Sequence, residues 1–386
     1  MLVITLFRHN DVRIPMIPLS QPDIDDRDRQ AVMATMQSPT LSGGPFLRQF
    51  EEEFARRTGR KYALAVSSGT AALHLGVRAL GLSAGDEVIT TPFSFIASAN
   101  CLLYESVRPV FVDVEADTYG LDPDLVAAAI TPSTRAVLPV HVFGQPCKIA
   151  DIGTLCQSHG LVMIEDACEA LLAGTGDRLV GSFGDVAVYG FYPNKQITSG
   201  EGGMLTTDSE EIYRKVKSLR NQGRDIETDE IRQIALGYNY RMSEINAALG
   251  GSQLQRINEI KALRKQILER YNQLFAGVAG IGLPSVVGNN DPSWFLYVVR
   301  VHADVRDELI QRLAMRGIQA KAYFSPPIHL QPYYRNKFGF SEGDFPVSER
   351  LSRECLALPF YNGLSSSDQE RVVEGVSKSL GEIQGM

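Results

Sequence analysis

Between about residues 45 and 207 the chain alternates between two hydrophobic periods. FLRQFEEEFARRTG (46–59) places Phe46, Phe50 and Phe54 along one side at helical spacing. KYALAV (61–66) is a short apolar run of strand length, and SSGTAALHLGVRAL (67–80) reads as a turn opening into a helix. The same alternation continues through DEVITTP (strand), FSFIASANCLLYE (helix, 93–105), RPVFVDV (strand) and LDPDLVAAAI, a short helix from near Asp122. TRAVLPVHVFG (134–144) is a further strand, and IADIGTLCQSHG is a helix that Gly160 should end. LVMIED (161–166), DVAVYGF (185–191) and GGMLTTD (202–208) complete the set, the last two as a strand pair.

Strands alternating with helices predict an α/β fold, with a mostly parallel sheet of seven-stranded type covered by helices on both faces. Residues 210–275 are helix-rich, and Ser243–Phe275 reads as one long helix. WFLYVVRV (294–301), IQAKAYF (318–324) and CLALPF (355–360) are strands of a second alternating region, with helices at 304–316 and 365–380. The predicted organisation is an N-terminal extension at 1–15, a large domain at 16–254, and a smaller C-terminal α/β domain at 255–386 that includes the long connecting helix. Met16 is a candidate natural start.

Composition narrows the function classes. At 386 residues the chain exceeds one simple core, so about two domains are expected. The net charge of −7, with no long basic run, argues against a nucleic-acid surface. The five cysteines, Cys101, Cys147, Cys156, Cys168 and Cys355, form no C-x-x-C pair and suit free thiols in a reducing cytosol. The six histidines have no zinc-ligand spacing. The start of the chain lacks the features of a signal peptide, and no apolar run is long enough to span a membrane. A cytoplasmic protein without a membrane or nucleic-acid partner is the expectation.

Ligands of open α/β sheets bind beyond the carboxyl ends of the strands, and three groups fall at such places. Ser67-Ser68-Gly69-Thr70 opens a helix after KYALAV, where free N–H groups attract an anion and glycine permits close approach. By itself this pattern also fits an ordinary Ser/Thr cap. Asp166 ends LVMIED. It reads either as a solvated strand-end acid or as the partner of a buried cation. Lys195 stands in GFYPNKQITSGEGG (190–203), just after a strand. Most lysines are solvated, but a buried one can become a nucleophilic amine or a base. An anion cradle, an acid and a lysine in this order match the needs of pyridoxal 5'-phosphate: a phosphate site, a carboxylate for the ring nitrogen and an amine for the aldehyde.

With those residues in place, the chain resembles the DegT/StrS-type sugar aminotransferases, within the aspartate-aminotransferase fold (fold type I). The motifs that carry the resemblance are SSGTAAL (67–73), TPFSFIASAN (91–100), PVHVFGQP (139–146), IEDACEA (164–170), FYPNKQITSGEGGM (191–204), GYNYRMSEINAA (237–248) and IHLQPYY (328–334). The resemblance implies that Lys195 binds the cofactor covalently and shuttles the proton, and that Asp166 pairs with the pyridine nitrogen. It implies that Gly69 and Thr70 hold the phosphate and that Phe95 stacks on the ring. Asn239 then reaches the phosphate of a neighbouring subunit, so a homodimer with interfacial active sites follows. Tyr192, Arg241 and His329 match positions near the sugar or the cofactor. The implied reaction moves nitrogen from an amino acid, L-glutamate by resemblance, to a nucleotide-linked 3- or 4-keto-deoxyhexose destined for a surface polysaccharide or glycosylated metabolite.

Two positions depart from the family pattern. Gly190 stands where a phosphate-binding serine is usual, and Glu169 where His or Gln is usual near the ring oxygen. A buried carboxylate there should have a raised pKa or point elsewhere. Within the family, dehydratases carry histidine at the lysine position, which Lys195 speaks against. A non-catalytic cofactor-binding regulator is the reading from another class, since fold alone does not exclude it. Other motif readings fail: GEGGM lacks the phosphate-loop lysine and hydroxyl, and Asp113 and Asp117 read as strand-end and turn residues.

Overall fold

The computed structural model describes residues 15–228 and 230–385. Most of the expected N-terminal extension therefore lies outside the described residues.

The seven strands of the main sheet are β1 (Tyr62–Val66), β2 (Glu87–Thr90), β3 (Arg108–Phe111), β4 (Thr134–Leu138), β5 (Val162–Asp166), β6 (Val186–Gly190) and β7 (Gly203–Thr207). Their spatial order is β1-β7-β6-β5-β4-β2-β3. From β6 through β5, β4 and β2 to β3 every adjacent pair is parallel. β7 runs against both of its neighbours, with Gly190 opposite Gly203 and Val66 opposite Gly203. The strand interiors are wholly buried apolar side chains such as Leu64, Ile89, Val137, Ile164, Val188 and Leu205, as a sheet covered on both faces requires. Because β7 alone is reversed, the carboxyl ends of β1, β5 and β6 share one edge. Ser67–Thr70, Asp166–Glu169 and the connection carrying Lys195 all leave from that edge.

The helix Gly69–Ala79 packs on β5, β6 and β7. Its start is fixed by Ser68, whose hydroxyl accepts from the Ala71 N–H at 3.0 Å. The helix expected over 93–105 is shorter, Ala97–Tyr104. Its first residues instead form a loop, where Phe93 is buried and its N–H donates to Thr91 Oγ1 at 2.9 Å.

The C-terminal unit has a second, antiparallel sheet: β8 (Ile281–Gly282), β9 (Tyr297–Val301), β10 (Lys321–Ala322) and β11 (Cys355–Leu358), in the order β8-β9-β11-β10. Helices Ala303–Met315 and Ser366–Gln384 pack together beside it. Its core gathers Tyr271, Phe275, Tyr297, Leu309, Leu313 and Val376, and Ile17 joins them. The Ile17 N–H donates to the Gly317 carbonyl at 2.8 Å, and the Gln319 N–H donates back to Ile17 at 3.0 Å. Ile17, expected with the large domain, thus bridges Ile318 of the small one.

The long helix expected over 243–275 is two helices, Glu244–Gln255 and Ile257–Leu274. Arg256 leaves the helical region, at φ −102° and ψ 16°. Its guanidinium is drawn to Asp23 Oδ2 and Asp28 Oδ2, each at 2.9 Å. The break lets the chain pass from the large core, which holds Leu254 and Ile257, to the small one, which holds Ile267 and Leu268.

Candidate active site

Lys195 lies in the turn after β6, its N–H bonded to the Tyr192 carbonyl at 2.9 Å. Its side chain is 14% exposed, so the ammonium is largely withdrawn from water. Nζ lies 3.5 Å from Glu169 Oε1 and 4.0 Å from the centre of the Phe295 ring. Behind it, the buried Arg264 donates to the backbone carbonyls of Lys195 at 3.5 Å and Phe295 at 3.2 Å.

Glu169 is buried, and its other oxygen accepts the Phe143 N–H at 2.8 Å. Phe143 presents that N–H from a left-handed backbone, φ 58° and ψ 12°, which is costly for a residue with a Cβ. The ring is pinned by Phe93, Tyr119 and Phe324. Burial pushes the Glu169 carboxyl above the usual carboxylate range, and Asp166 pushes the same way. Lys195 and the Phe143 N–H act against them. The raised pKa expected for Glu169 is therefore present, and its side chain faces the lysine.

Asp166, at the end of β5, is buried and held on both oxygens. Oδ2 accepts the Ser98 hydroxyl at 2.8 Å and Oδ1 the Cys168 N–H at 3.1 Å. The Cys168 side chain lies between Gly69 and Gly190, and burial raises its thiol well above its ordinary value. Gly69 and Thr70 stand in the first turn of their helix, where N–H groups have no intrahelical partner. The segment 239–241 lies alongside: Arg241 bridges Val66, and the Ser67 N–H donates to the Tyr240 carbonyl at 2.8 Å. Arg241 itself is tied to Asn221 Oδ1 at 2.8 Å. Asn239, Phe95 and Tyr192 are exposed around this edge.

His329 is the exception among the residues singled out in the sequence. It is fully buried, with Nε2 3.2 Å from Glu349 Oε1 and its ring edge-on to Phe345. Burial lowers its pKa. Its Nδ1 is buried and has no hydrogen-bond partner among the described residues. Ser98, Phe143 and Phe295 were not anticipated. The first two lie inside motifs already noted, TPFSFIASAN and PVHVFGQP, but Phe295 belongs to a strand-forming run with no local signal.

The donor set suits pyridoxal 5'-phosphate. It has one withdrawn amine, one buried acid with lone pairs to spare, and a helix start at a glycine where a Cβ would meet Cys168 Sγ at 3.0 Å.

The family model of the DegT/DnrJ/EryC1/StrS aminotransferases matches residues 22–377, and the chain belongs to that family. It is an aminotransferase, and aminotransferases of this family depend on pyridoxal phosphate. The chain is 37% identical over 381 residues to the spore coat polysaccharide biosynthesis protein SpsC of Bacillus subtilis, covering 93% of this chain and 96% of that protein. It is 36% identical over 372 residues to the GDP-perosamine synthase of Caulobacter vibrioides, covering 95% and 99%. Among solved structures, the PLP form of Spr1654 from Streptococcus pneumoniae superposes with a TM-score of 0.91 at 27% identity, covering 95% and 99%. Among the described residues no helix is long and apolar enough to cross a membrane.

Proposed function

We propose that this aminotransferase moves an amino group from L-glutamate to a nucleotide-linked keto-deoxy sugar in the cytoplasm, using pyridoxal 5'-phosphate. The observation that carries the reading is the withdrawn Lys195 beside the buried Glu169, at the same sheet edge as the buried Asp166 and the start of a capped helix. Lys195 would hold the cofactor's aldehyde, Asp166 its ring nitrogen, and Gly69 and Thr70 its phosphate, with Phe95 at its face. When bound, the cofactor supplies an electron sink for the bonds of the substrate carbon. Asp166, kept in place by Ser98 and the Cys168 N–H, stays an acceptor that favours a protonated partner. Lys195, once its amine is free, would be the group that carries a proton from and to the substrate carbon. The Phe295 ring covers one side of the amine and keeps water from it. The name of the Caulobacter relative and the family membership support a nucleotide sugar as acceptor.

The enzyme works as a homodimer in this reading. Phe95, Tyr192, Ile234 and Leu236 stand at least half exposed around the site and on the segment before Asn239. Such apolar exposure calls for a cover, and a second copy would bring its own Asn239 towards the phosphate.

The test is a panel of nucleotide-linked keto sugars with nitrogen-labelled glutamate, read by mass spectrometry. One sugar should gain the labelled amine with the chain as purified and none with Lys195→Ala. Binding of cofactor without nitrogen transfer to any carbonyl compound would point to a regulator. Transfer only to small keto acids would remove the sugar from the reading.

A further inference from the structure

Arg264 carries a positive charge inside the protein with no acid in contact among the described residues. It lies on the helix Ile257–Leu274 and is 5% exposed. Its guanidinium makes three contacts, all with backbone carbonyls and all long: Phe295 at 3.2 Å, Trp294 at 3.4 Å and Lys195 at 3.5 Å. Nε is enclosed and has no partner among the described residues. Burial lowers its pKa to about 10, so the group stays charged at neutral pH, and Asp23 is the acid that acts against burial. Asp23 is engaged elsewhere, by Arg256 and Asn362 at 2.9 Å each. A buried charge that has lost its hydration is ordinarily paired.

Arg264 also lines a cavity of about 110 Å³ between its helix and the segment leading into β9. One water needs about 10–15 Å³ of such space, so a small ion has room. Lys261 and Lys265 share the wall, together with Asp291 and Trp294. Lys261 Nζ donates to the Leu172 carbonyl at 2.5 Å and stands 3.6 Å from Asp291 Oδ2, whose side chain is 76% exposed. Three cations around one loosely held, hydrated carboxylate leave the wall with excess positive charge. Lys195, Asp166, Gly69 and Thr70 do not line it.

We propose that this cavity binds a small oxyanion, a phosphate or carboxylate group, which supplies the counter-charge that Arg264 lacks. The planar guanidinium suits two oxygens of one group better than a single point charge such as chloride. The cavity is separate from the place assigned to the cofactor, yet it is joined to it through the backbone. The same guanidinium holds the carbonyls of Lys195 and of Phe295, whose ring covers Nζ. An oxyanion there steadies the backbone that carries the amine.

Trp294 is the one tryptophan of the chain and lines this cavity, so its fluorescence reports occupancy. The full-length enzyme is loaded with cofactor, so that the start of the Gly69 helix is occupied. It is then titrated with inorganic phosphate, acetate and chloride at matched ionic strengths. Phosphate, acetate or both should give a saturable change, and chloride none. A response to phosphate alone assigns phosphoryl groups as occupants, and one to acetate alone assigns carboxylates. Lys265→Ala should weaken binding about two- to fivefold, the range of an exposed charge pair, and Asp291→Asn should tighten it by a similar factor. Both positions are exposed, so neither change threatens the fold. Arg264→Gln should weaken binding at least about 30-fold, because the charge it removes is buried. The urea midpoint of the parent should rise with the same anion at the same half-saturation, since a ligand of the folded state stabilises it. A change that never saturates, an equal response to chloride, or binding that Lys265→Ala and Asp291→Asn leave unmoved would overturn the proposal.

Discussion

A Cβ on Gly69 would stand 3.0 Å from Cys168 Sγ and 3.4 Å from the Gly190 Cα, so the helix start, the segment after β5 and the end of β6 meet with no side chain to spare. Gly69→Ala should push the thiol aside and cost about 1–3 kcal/mol, the usual range for overpacking. Adding Cys168→Ala should return most of that loss. Urea unfolding of the parent and the two variants tests it, and a Gly69→Ala protein as stable as the parent would show that the thiol moves freely.

Gly190 is less tightly held. A Cβ there would lie 3.5 Å from Cys168 Sγ and 3.6 Å from its Cβ, which is ordinary contact. Gly190→Ser should therefore be neutral or stabilising by about 0.5 kcal/mol, through the restricted unfolded chain. It should also slow cofactor loss, since a hydroxyl is restored beside the helix start. Spectroscopic titration with pyridoxal phosphate would reveal unchanged affinity if the hydroxyl misses the phosphate.

Ser98 is the side chain that orients Asp166. Ser98→Ala leaves Oδ2 short of a charge-assisted bond worth about 1.5–3 kcal/mol. Cofactor affinity should fall about tenfold or more, whereas Ser98→Thr should retain it if the added methyl fits. An alanine variant that binds cofactor like the parent would mean that Asp166 is held by its backbone alone.

The Arg256 break is a structural charge cluster. The Arg256 side chain is 5% exposed, Asp28 is fully enclosed, and Asp23 also accepts from Asn362 in the C-terminal unit at 2.9 Å. Arg256→Ala strands a buried carboxylate, so a loss of about 3–5 kcal/mol is expected. Denaturant midpoints should show it. A loss below about 1 kcal/mol would mean that Asp28 is already satisfied by Ser252 and Gln253.

Glu105 gives the pH dependence. Burial alone raises its pKa, but His74, Tyr238 and Arg78 outweigh it, and the net direction is down from 4.5. A folded pKa below the unfolded one stabilises above the unfolded value and is lost as pH falls through it and beyond. Glu105→Gln should thus be less stable than the parent at pH 7, and the gap should close as pH drops below 4.5. A gap independent of pH would assign the effect to hydrogen bonding alone.

Much of this was legible along the chain. The seven main strands were visible because both faces of each are buried, which leaves continuous apolar runs such as LVMIED and GGMLTTD. Lys195, Asp166 and Gly69 were legible because strand ends and helix starts are local features, and the motif order pointed to one family. The break at Arg256 was not, since helical periodicity persists through it and only Asp23 and Asp28, more than 220 residues away, pull the arginine out of line. Nor was the burial of His329, whose partner Glu349 lies on another helix. Local hydrophobic period and turn chemistry determined which elements form and which residues sit at their ends. The packing of distant segments alone decided that Glu169, not Asp166, faces the lysine, because it took a strained Phe143 and a buried Ser98 to tie each carboxylate to its own task.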